Sequence, residues 1–97
     1  MQVVENWSDL VGVVEAVQAT TAKPGYACIV LKIENMHDVD GYPNLINADA
    51  SEILSVYLPE ELCASRDVGK GERISCRIRL VKPGLYYLHS DYFDIIK

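Results

Sequence analysis

The sequence predicts an all-β domain of five antiparallel strands that close into a barrel, with one short helix between the third and fourth strands. Apolar residues recur at every second position in several stretches, which is the period of a half-buried strand, and long stretches with a helical period are missing. The turn-forming pairs Pro24-Gly25 and Pro83-Gly84 separate such stretches. The length of 97 residues suits one domain, which we expect to span residues 1–97.

The first part of the chain predicts two strands joined by a loop. Strand one is expected at residues 10–17, and Gly12 within it indicates a bulge or a sharp bend, as in a small barrel whose first strand must curve. A loop at residues 19–25 leads to strand two at residues 26–34. Alternate residues of strand two, from Ala27 to Ile33, form its apolar face.

The middle of the chain predicts an acidic loop, a strand and the helix. The loop covers residues 35–51, which is long for a connection in a compact domain, and a short strand at residues 44–48 fits within it. Strand three is expected at residues 52–58. The helix is expected at residues 59–66, because it begins with proline and two glutamates, and Gly69 follows its end.

The last third of the chain predicts two more strands. A turn at residues 69–72 leads to strand four at residues 73–81, and a turn at residues 82–84 leads to strand five at residues 85–96. Strand four alternates most clearly, with apolar residues at even positions and, on the opposite face, Arg73, Ser75, Arg77, Arg79 and Val81. The apolar faces together predict a core that includes Leu10, Val14, Ile29, Leu31, Leu54, Val56, Ile74, Ile78 and Leu88.

This order of elements, with a glycine in the first strand, resembles the OB-fold, a five-stranded Greek-key barrel that binds oligonucleotides and oligosaccharides. Residues 7–14, 69–74 and 88–95 resemble the opening strand, the entry to strand four and the closing strand of that family. Residues 83–89 are also similar to a segment in the single-strand-binding proteins of filamentous phages, but they identify no subfamily. The resemblance covers residues 7–96 and implies an OB-like barrel with a ligand-binding sheet face.

Basic residues on strand four are the strongest candidates for a binding site. Arg73, Arg77 and Arg79 lie at even spacing, hence on one sheet face, and Lys32 of strand two is expected beside them. In OB-folds that hold single strands, basic residues follow the phosphates and aromatic rings stack on the bases. The aromatic residues expected near the arginines are Tyr57 and either Tyr86 or Tyr87.

Two functions remain open at this stage. One is binding of single-stranded nucleic acid; the other is a protein-interaction module, as a subunit or a homodimer, without affinity for nucleic acid. The net charge of −5 and the apolar residues on outer faces, Val30, Ile53 and Val81, favour the second. The arginines would then solvate an exposed face and pair with Glu34 or Glu52.

The remaining motifs predict no enzyme, cofactor, metal or membrane segment. Gly69-Lys70-Gly71 is too short for a phosphate loop, and the serines lack a nucleophile elbow. Residues 37–40 hold histidine and aspartate but lack the order of a calcium loop, which favours a solvated turn. Trp7 is expected to cover an open end of the barrel or to anchor a partner. An odd number of cysteines without CxxC spacing predicts reduced, buried thiols in a cytoplasmic protein: Cys28, Cys63 and Cys76.

Overall fold

The computed structural model describes residues 5–19, 24–46 and 51–96. Its elements, in chain order, are β1 (Ser8–Ala19), β2 (Tyr26–Asp38), β3 (Ile53–Pro59), α1 (Glu60–Ser65), β4 (Arg73–Lys82) and β5 (Leu85–Ile96). The predicted fold class is confirmed, since the protein is all-β with one short helix between its third and fourth strands. In the part of the chain described, no helix has the length and apolar character needed to cross a membrane.

The five strands form one closed sheet in the order β1-β2-β3-β5-β4, in which β4 pairs again with β1. Four of the strand pairs are antiparallel, whereas β3 and β5 run parallel and share only two residue pairs, Val56 with Tyr86 and Tyr57 with Tyr87. The expectation of five antiparallel strands is therefore wrong for one pair, because alternation along a strand carries no information about the direction of its neighbour. The closed five-stranded sheet is compatible with an OB-like fold.

Gly12 lies where β1 bends. The register of β1 against β2 shifts between Val11 and Gly12, which confirms the irregularity expected at this glycine, and it shifts again between Val14 and Ala16. A Cβ atom on Gly12 would lie 2.8 Å from the backbone oxygen of Lys32, closer than real Cβ atoms come to other atoms. The absence of a side chain thus lets β1 approach β2 while it also pairs with β4.

The core fills the inside of the closed sheet. All nine residues predicted for the core are buried, and Ile74 and Ile78 of β4 are fully so, whereas Arg77 between them points outward. Burial also extends to Cys28, although the alternation in β2 places it on the outer face. Other buried residues of the core cluster are Ala27, Ile33, Ile46, Leu58, Cys63, Cys76 and Phe93.

The segment after β2 differs from its prediction. β2 continues to Asp38, because its last residues, from Asn35 onward, still pair with β1. The predicted loop at 35–51 therefore begins later, and the expected solvated turn is wrong for His37 and Asp38, which end the strand. Of the short strand predicted at 44–48, residues 44–46 are irregular and the rest lies outside the described residues.

The helix and the cysteines agree with their predictions. α1 has Pro59 as its N-cap and Arg66 as its C-cap, with acidic residues in its first turn. All three cysteines are free and buried. Burial, with a further contribution from the negative charge of Asp9, raises the pKa of Cys76 to about 12, so this side chain is a thiol at neutral pH.

We expect Gly12→Ala to lower the free energy of unfolding by about 1–3 kcal/mol, because the added methyl group forces β1 and β2 apart. Gly69→Ala is the matched control, since a Cβ atom there would meet no atom within 4 Å. Chemical denaturation measures both effects. Equal stability of the Gly12→Ala variant and the unaltered protein would contradict the role given to this glycine.

Candidate functional site

Three tyrosines form a cluster on the outer face of the sheet. The parallel pairing of β3 with β5 places Tyr57 beside Tyr87, and their ring centroids lie 5.9 Å apart. Tyr26, at the start of β2, lies with its ring centroid 5.7 Å from that of Tyr87. All three residues are half-buried, so each ring packs on its neighbours and keeps part of its surface in water. We call these three residues the tyrosine cluster.

A second group of rings lies further along β5. The ring of His89 lies 4.8 Å from that of Trp7 on one side and 4.8 Å from that of Tyr92 on the other, centroid to centroid. The backbone N–H of Asp91 donates to Nδ1 of His89, which holds the imidazole in this orientation. Trp7 and His89 are half-buried, and Tyr92 is exposed. We call Trp7, His89 and Tyr92 the tryptophan cluster.

Two arginines of β4 lie against the tryptophan cluster. The guanidinium carbon of Arg77 lies 3.8 Å from the centroid of the Tyr92 ring, and that of Arg79 lies 5.9 Å from the Trp7 ring, both within reach of a cation–π interaction. Arg77 also donates two hydrogen bonds to the Asp9 carboxylate, at 2.8 and 3.3 Å. The hydrogen bond to Asp9 raises the pKa of Arg77, whose charge is thus already compensated within the protein.

Arg79 differs from the other arginines in its surroundings. Arg66, Arg73 and Arg77 each form an ion pair with a carboxylate, namely Asp94, Glu34 and Asp9. Within the part of the chain that the structure describes, Arg79 has no such partner and its side chain is exposed. Its positive charge is therefore available to a ligand.

Arg79 also joins the two groups of rings. It pairs with Tyr87 across β4 and β5, so it lies between the tyrosine cluster and the tryptophan cluster. A slot of about 300 Å³ opens there, lined by Arg79 together with Trp7 and His89 and with Tyr26 and Tyr87. We call this space the Arg79 slot, and we call the two clusters with Arg79 the aromatic track.

A second depression continues the track beyond Tyr57. It has a volume of about 570 Å³ and is lined by Pro24 of the β1–β2 connection, by Tyr57 and Tyr87, and by residues 82–85 of the β4–β5 turn. Lys82 in this turn is exposed. The track thus runs from the β4–β5 turn, over the tyrosine cluster and Arg79, to the tryptophan cluster.

The structure divides the site predicted from the sequence into separate parts. Tyr57, Tyr87 and Arg79 belong to the aromatic track, and Arg77 lies beside it against Tyr92. Tyr86 turns the other way and packs, partly buried, against the core. Between Tyr86 and Tyr87, the two residues that the sequence left as alternatives, Tyr87 is thus the one on the outer face.

Arg73 and Lys32 lie apart from the aromatic track. Both are cross-strand partners of Val13 in β1, so they flank that strand on another part of the sheet. Arg79 lies six positions after Arg73 in β4, which corresponds to about 20 Å along the strand. Arg73 forms the ion pair with Glu34 that the sequence suggested as its alternative role.

Sequence reasoning did not place several residues of the track in the site. His89 could have been found from alternation, since it lies two positions after Tyr87 in β5. The local sequence does not indicate that Tyr26 and Tyr92 belong to the site. Tyr26 reaches it only because strands distant in sequence pair with each other, and Tyr92 lies where the register of β5 against β4 is irregular. Trp7, expected as a cover or an anchor, lies against His89 and near Arg79.

Two buried polar residues fix the position of Trp7. The Asn6 side-chain amide donates to the backbone oxygen of Leu80 and accepts from its backbone N–H, both at 2.9 Å. On the other side of Trp7, the Ser8 hydroxyl donates to Oδ1 of Asn44 at 2.6 Å. Asn6 and Ser8 are buried, so the segment that carries the indole is held to the barrel on both sides.

The described residues show no arrangement that would bind a metal. A depression of about 270 Å³ is lined by acidic and aromatic residues, including Asp9, Asp94 and Tyr92, and by His37. In the described ranges, however, no three histidine, cysteine, aspartate or glutamate side chains come together in a way that could hold a metal ion.

Comparison with known proteins adds no family. No protein-family model matches the chain, and no curated protein matches its sequence. The geometry of the aromatic track is therefore the basis on which a function can be argued.

We expect Asn6→Ala to lower the free energy of unfolding by about 2–4 kcal/mol, because both hydrogen bonds to Leu80 are lost and the backbone N–H and oxygen of Leu80 are left without their partner. Trp7 fluorescence should shift to longer wavelength as the indole gains contact with water. Asn35→Ala is the control, since Asn35 is an exposed asparagine, and its effect should stay within about 0.5 kcal/mol. A stable Asn6→Ala variant with unchanged emission would show that Asn6 does not position Trp7.

Proposed function

We propose that the protein is an OB-like, non-enzymatic protein that binds single-stranded nucleic acid along the aromatic track. The observation that carries this proposal is Arg79, the arginine without a carboxylate partner among the described residues, which lies between two groups of aromatic rings. An uncompensated cation beside exposed ring surface combines the two attractions that hold a single strand. The cation binds phosphates, and each ring that stacks on a base contributes about 1–3 kcal/mol.

The place of the track in the fold supports the same proposal. OB-folds bind oligonucleotides on the face of strands two and three, between the loop that joins strands one and two and the loop that joins strands four and five. Here Tyr57 of β3 lies between Pro24 of the first of those loops and Lys82 of the second. This position of the tyrosine cluster supports the proposal, because it corresponds to the ligand-binding face of OB-folds.

The negative net charge of the protein limits its affinity for nucleic acid. The net charge of −5 repels a polyanion at long range, and three of the arginines are already paired with carboxylates. Arg79 and Lys82 are the exposed cations next to the track that lack a carboxylate partner in the described part of the chain. Stacking thus carries most of the binding, and the dependence on salt is moderate.

A protein-interaction module is the competing function, and it has less support. This alternative was based on three apolar residues that the sequence predicts on outer faces. Of these, Ile53 is 59% exposed, whereas Val30 and Val81 are half-buried. A protein contact through apolar surface uses a contiguous patch of several hundred Å² rather than one exposed side chain. The aromatic track instead brings together on one surface several rings and an arginine without a carboxylate partner among the described residues, which suits bases.

The proposal is tested by titrating the protein with oligo-dT and following the fluorescence of Trp7, which lies in the track. We expect the logarithm of the association constant to fall with the logarithm of salt concentration, with a slope of about −1.4 for the two cations Arg79 and Lys82. Arg79→Ala should reduce the magnitude of the slope by about 0.7, the value of one phosphate contact. Tyr87→Ala should weaken binding by about fivefold or more, the value of one lost stacking contact.

Arg73→Ala is the matched control for Arg79→Ala. It removes an arginine from the same strand, but one that lies off the track and is paired with Glu34. We expect its affinity and salt slope to match those of the unaltered protein. Absence of oligonucleotide binding at about 50 mM salt would overturn the proposed function, since electrostatic contacts are strongest at low salt. A concentration-dependent dimer without such binding would support the protein module instead.

A further inference from the structure

The Arg79 slot has a volume and a lining that suit a single base. Its volume of about 300 Å³ is at the small end of the range for ligand pockets. Four rings line the slot: Trp7 and His89, which contact each other, and Tyr26 and Tyr87, which also contact each other. A planar aromatic ligand that entered it would meet ring surface, with the guanidinium of Arg79 beside it.

The polar groups of the slot are mostly hydrogen-bond donors. Arg79 carries five N–H donors in a planar fork and no acceptor. Nδ1 of His89 accepts the hydrogen bond from Asp91, so the proton of the neutral imidazole lies on Nε2, which is a donor as well. No carboxylate or amide side chain of the described residues lines the slot. Its other polar side-chain groups are the indole N–H of Trp7, which donates to Glu5, and the hydroxyls of Ser90 and the two tyrosines, which can donate as well as accept.

A donor-rich slot discriminates between bases by their acceptors. Guanine presents two adjacent acceptors, O6 and N7, which match the fork of an arginine in a bidentate contact. Adenine places an amino group beside N7, and thymine separates its two carbonyl oxygens by an N–H group, so neither can satisfy both arms of the fork. Cytosine has adjacent acceptors at N3 and O2, but its single ring covers less of the aromatic walls.

We propose that the Arg79 slot is a base-specific subsite that holds one guanine of the bound strand, with Arg79 donating to O6 and N7. The inference rests on the proposed function, because it assumes that a single strand lies along the aromatic track. The rest of the track stacks on bases without distinguishing them, so the preference is confined to one nucleotide. Cytosine ranks second, and adenine and thymine rank last.

The test compares the binding of oligo-dT with that of the same strand carrying one central dG, dC or dA. Each strand has about ten nucleotides, a length within the usual site size of an OB-fold. We expect the dG strand to bind about fivefold more tightly than oligo-dT, or better, the value of one bidentate contact. A strand with 7-deazaguanine, which lacks the N7 acceptor, should lose most of that gain.

Arg79→Lys keeps the positive charge but removes the fork, so it should abolish the guanine preference, measured as the ratio of the affinities for the dG strand and for oligo-dT within this one variant. Arg73→Lys is the matched control and should keep the preference. Equal binding of all four strands, or a preference that survives in Arg79→Lys, would overturn the guanine subsite and leave the proposed function standing. No binding of any strand would instead overturn the proposed function itself.

Discussion

The structure depends on the double pairing of β1, which binds β2 on one side and β4 on the other and so closes the sheet. A strand can bend enough to do this only where its backbone can come close to that of its neighbour. Gly12 provides that place, with the position of its missing Cβ atom 2.8 Å from the Lys32 carbonyl oxygen. Closure also satisfies backbone groups that an open sheet would expose at its edges.

The aromatic track follows from this closure. Once β1 and β4 are joined, β5 lies between β4 and β3, and its short parallel contact with β3 places Tyr87 beside Tyr57 on one side and opposite Arg79 on the other. The same closure brings the segment before β1 next to β4, where Asn6 binds the backbone of Leu80. Trp7 thereby lies against the outer face of β5, so rings from four parts of the chain share one surface.

Electrostatics then separates the arginines of β4 into two kinds. Arg73 and Arg77 hold strands together through Glu34 and Asp9, and their charges are largely compensated. Arg79 forms no ion pair with a carboxylate of the described residues, and it lines the Arg79 slot. In a protein of net charge −5, one uncompensated cation surrounded by rings favours recognition through stacking and directed hydrogen bonds over recognition through charge alone.

Local periodicity accounts for what the sequence could predict. Alternation in β4 identified Ile74 and Ile78 as buried and Arg77 and Arg79 as outward, and the start signal at Pro59 located the helix. Periodicity cannot predict whether neighbouring strands run parallel or antiparallel. It also cannot predict contacts between distant residues, such as that of Asn6 with Leu80, because these depend on how the whole sheet closes. For the same reason the sequence placed Arg73 and Arg79 in one site, whereas the length of β4 separates them.

The position of the ligand is the most direct test of this account, and ¹H–¹⁵N NMR with oligo-dT at low salt measures it. The account predicts that the amide signals that shift belong to residues of the aromatic track, above all Tyr57, Arg79, Tyr87 and His89, and that those of Lys32 and Arg73 stay in place. Shifts centred on Lys32 and Arg73, or no shifts at saturating oligonucleotide, would contradict it.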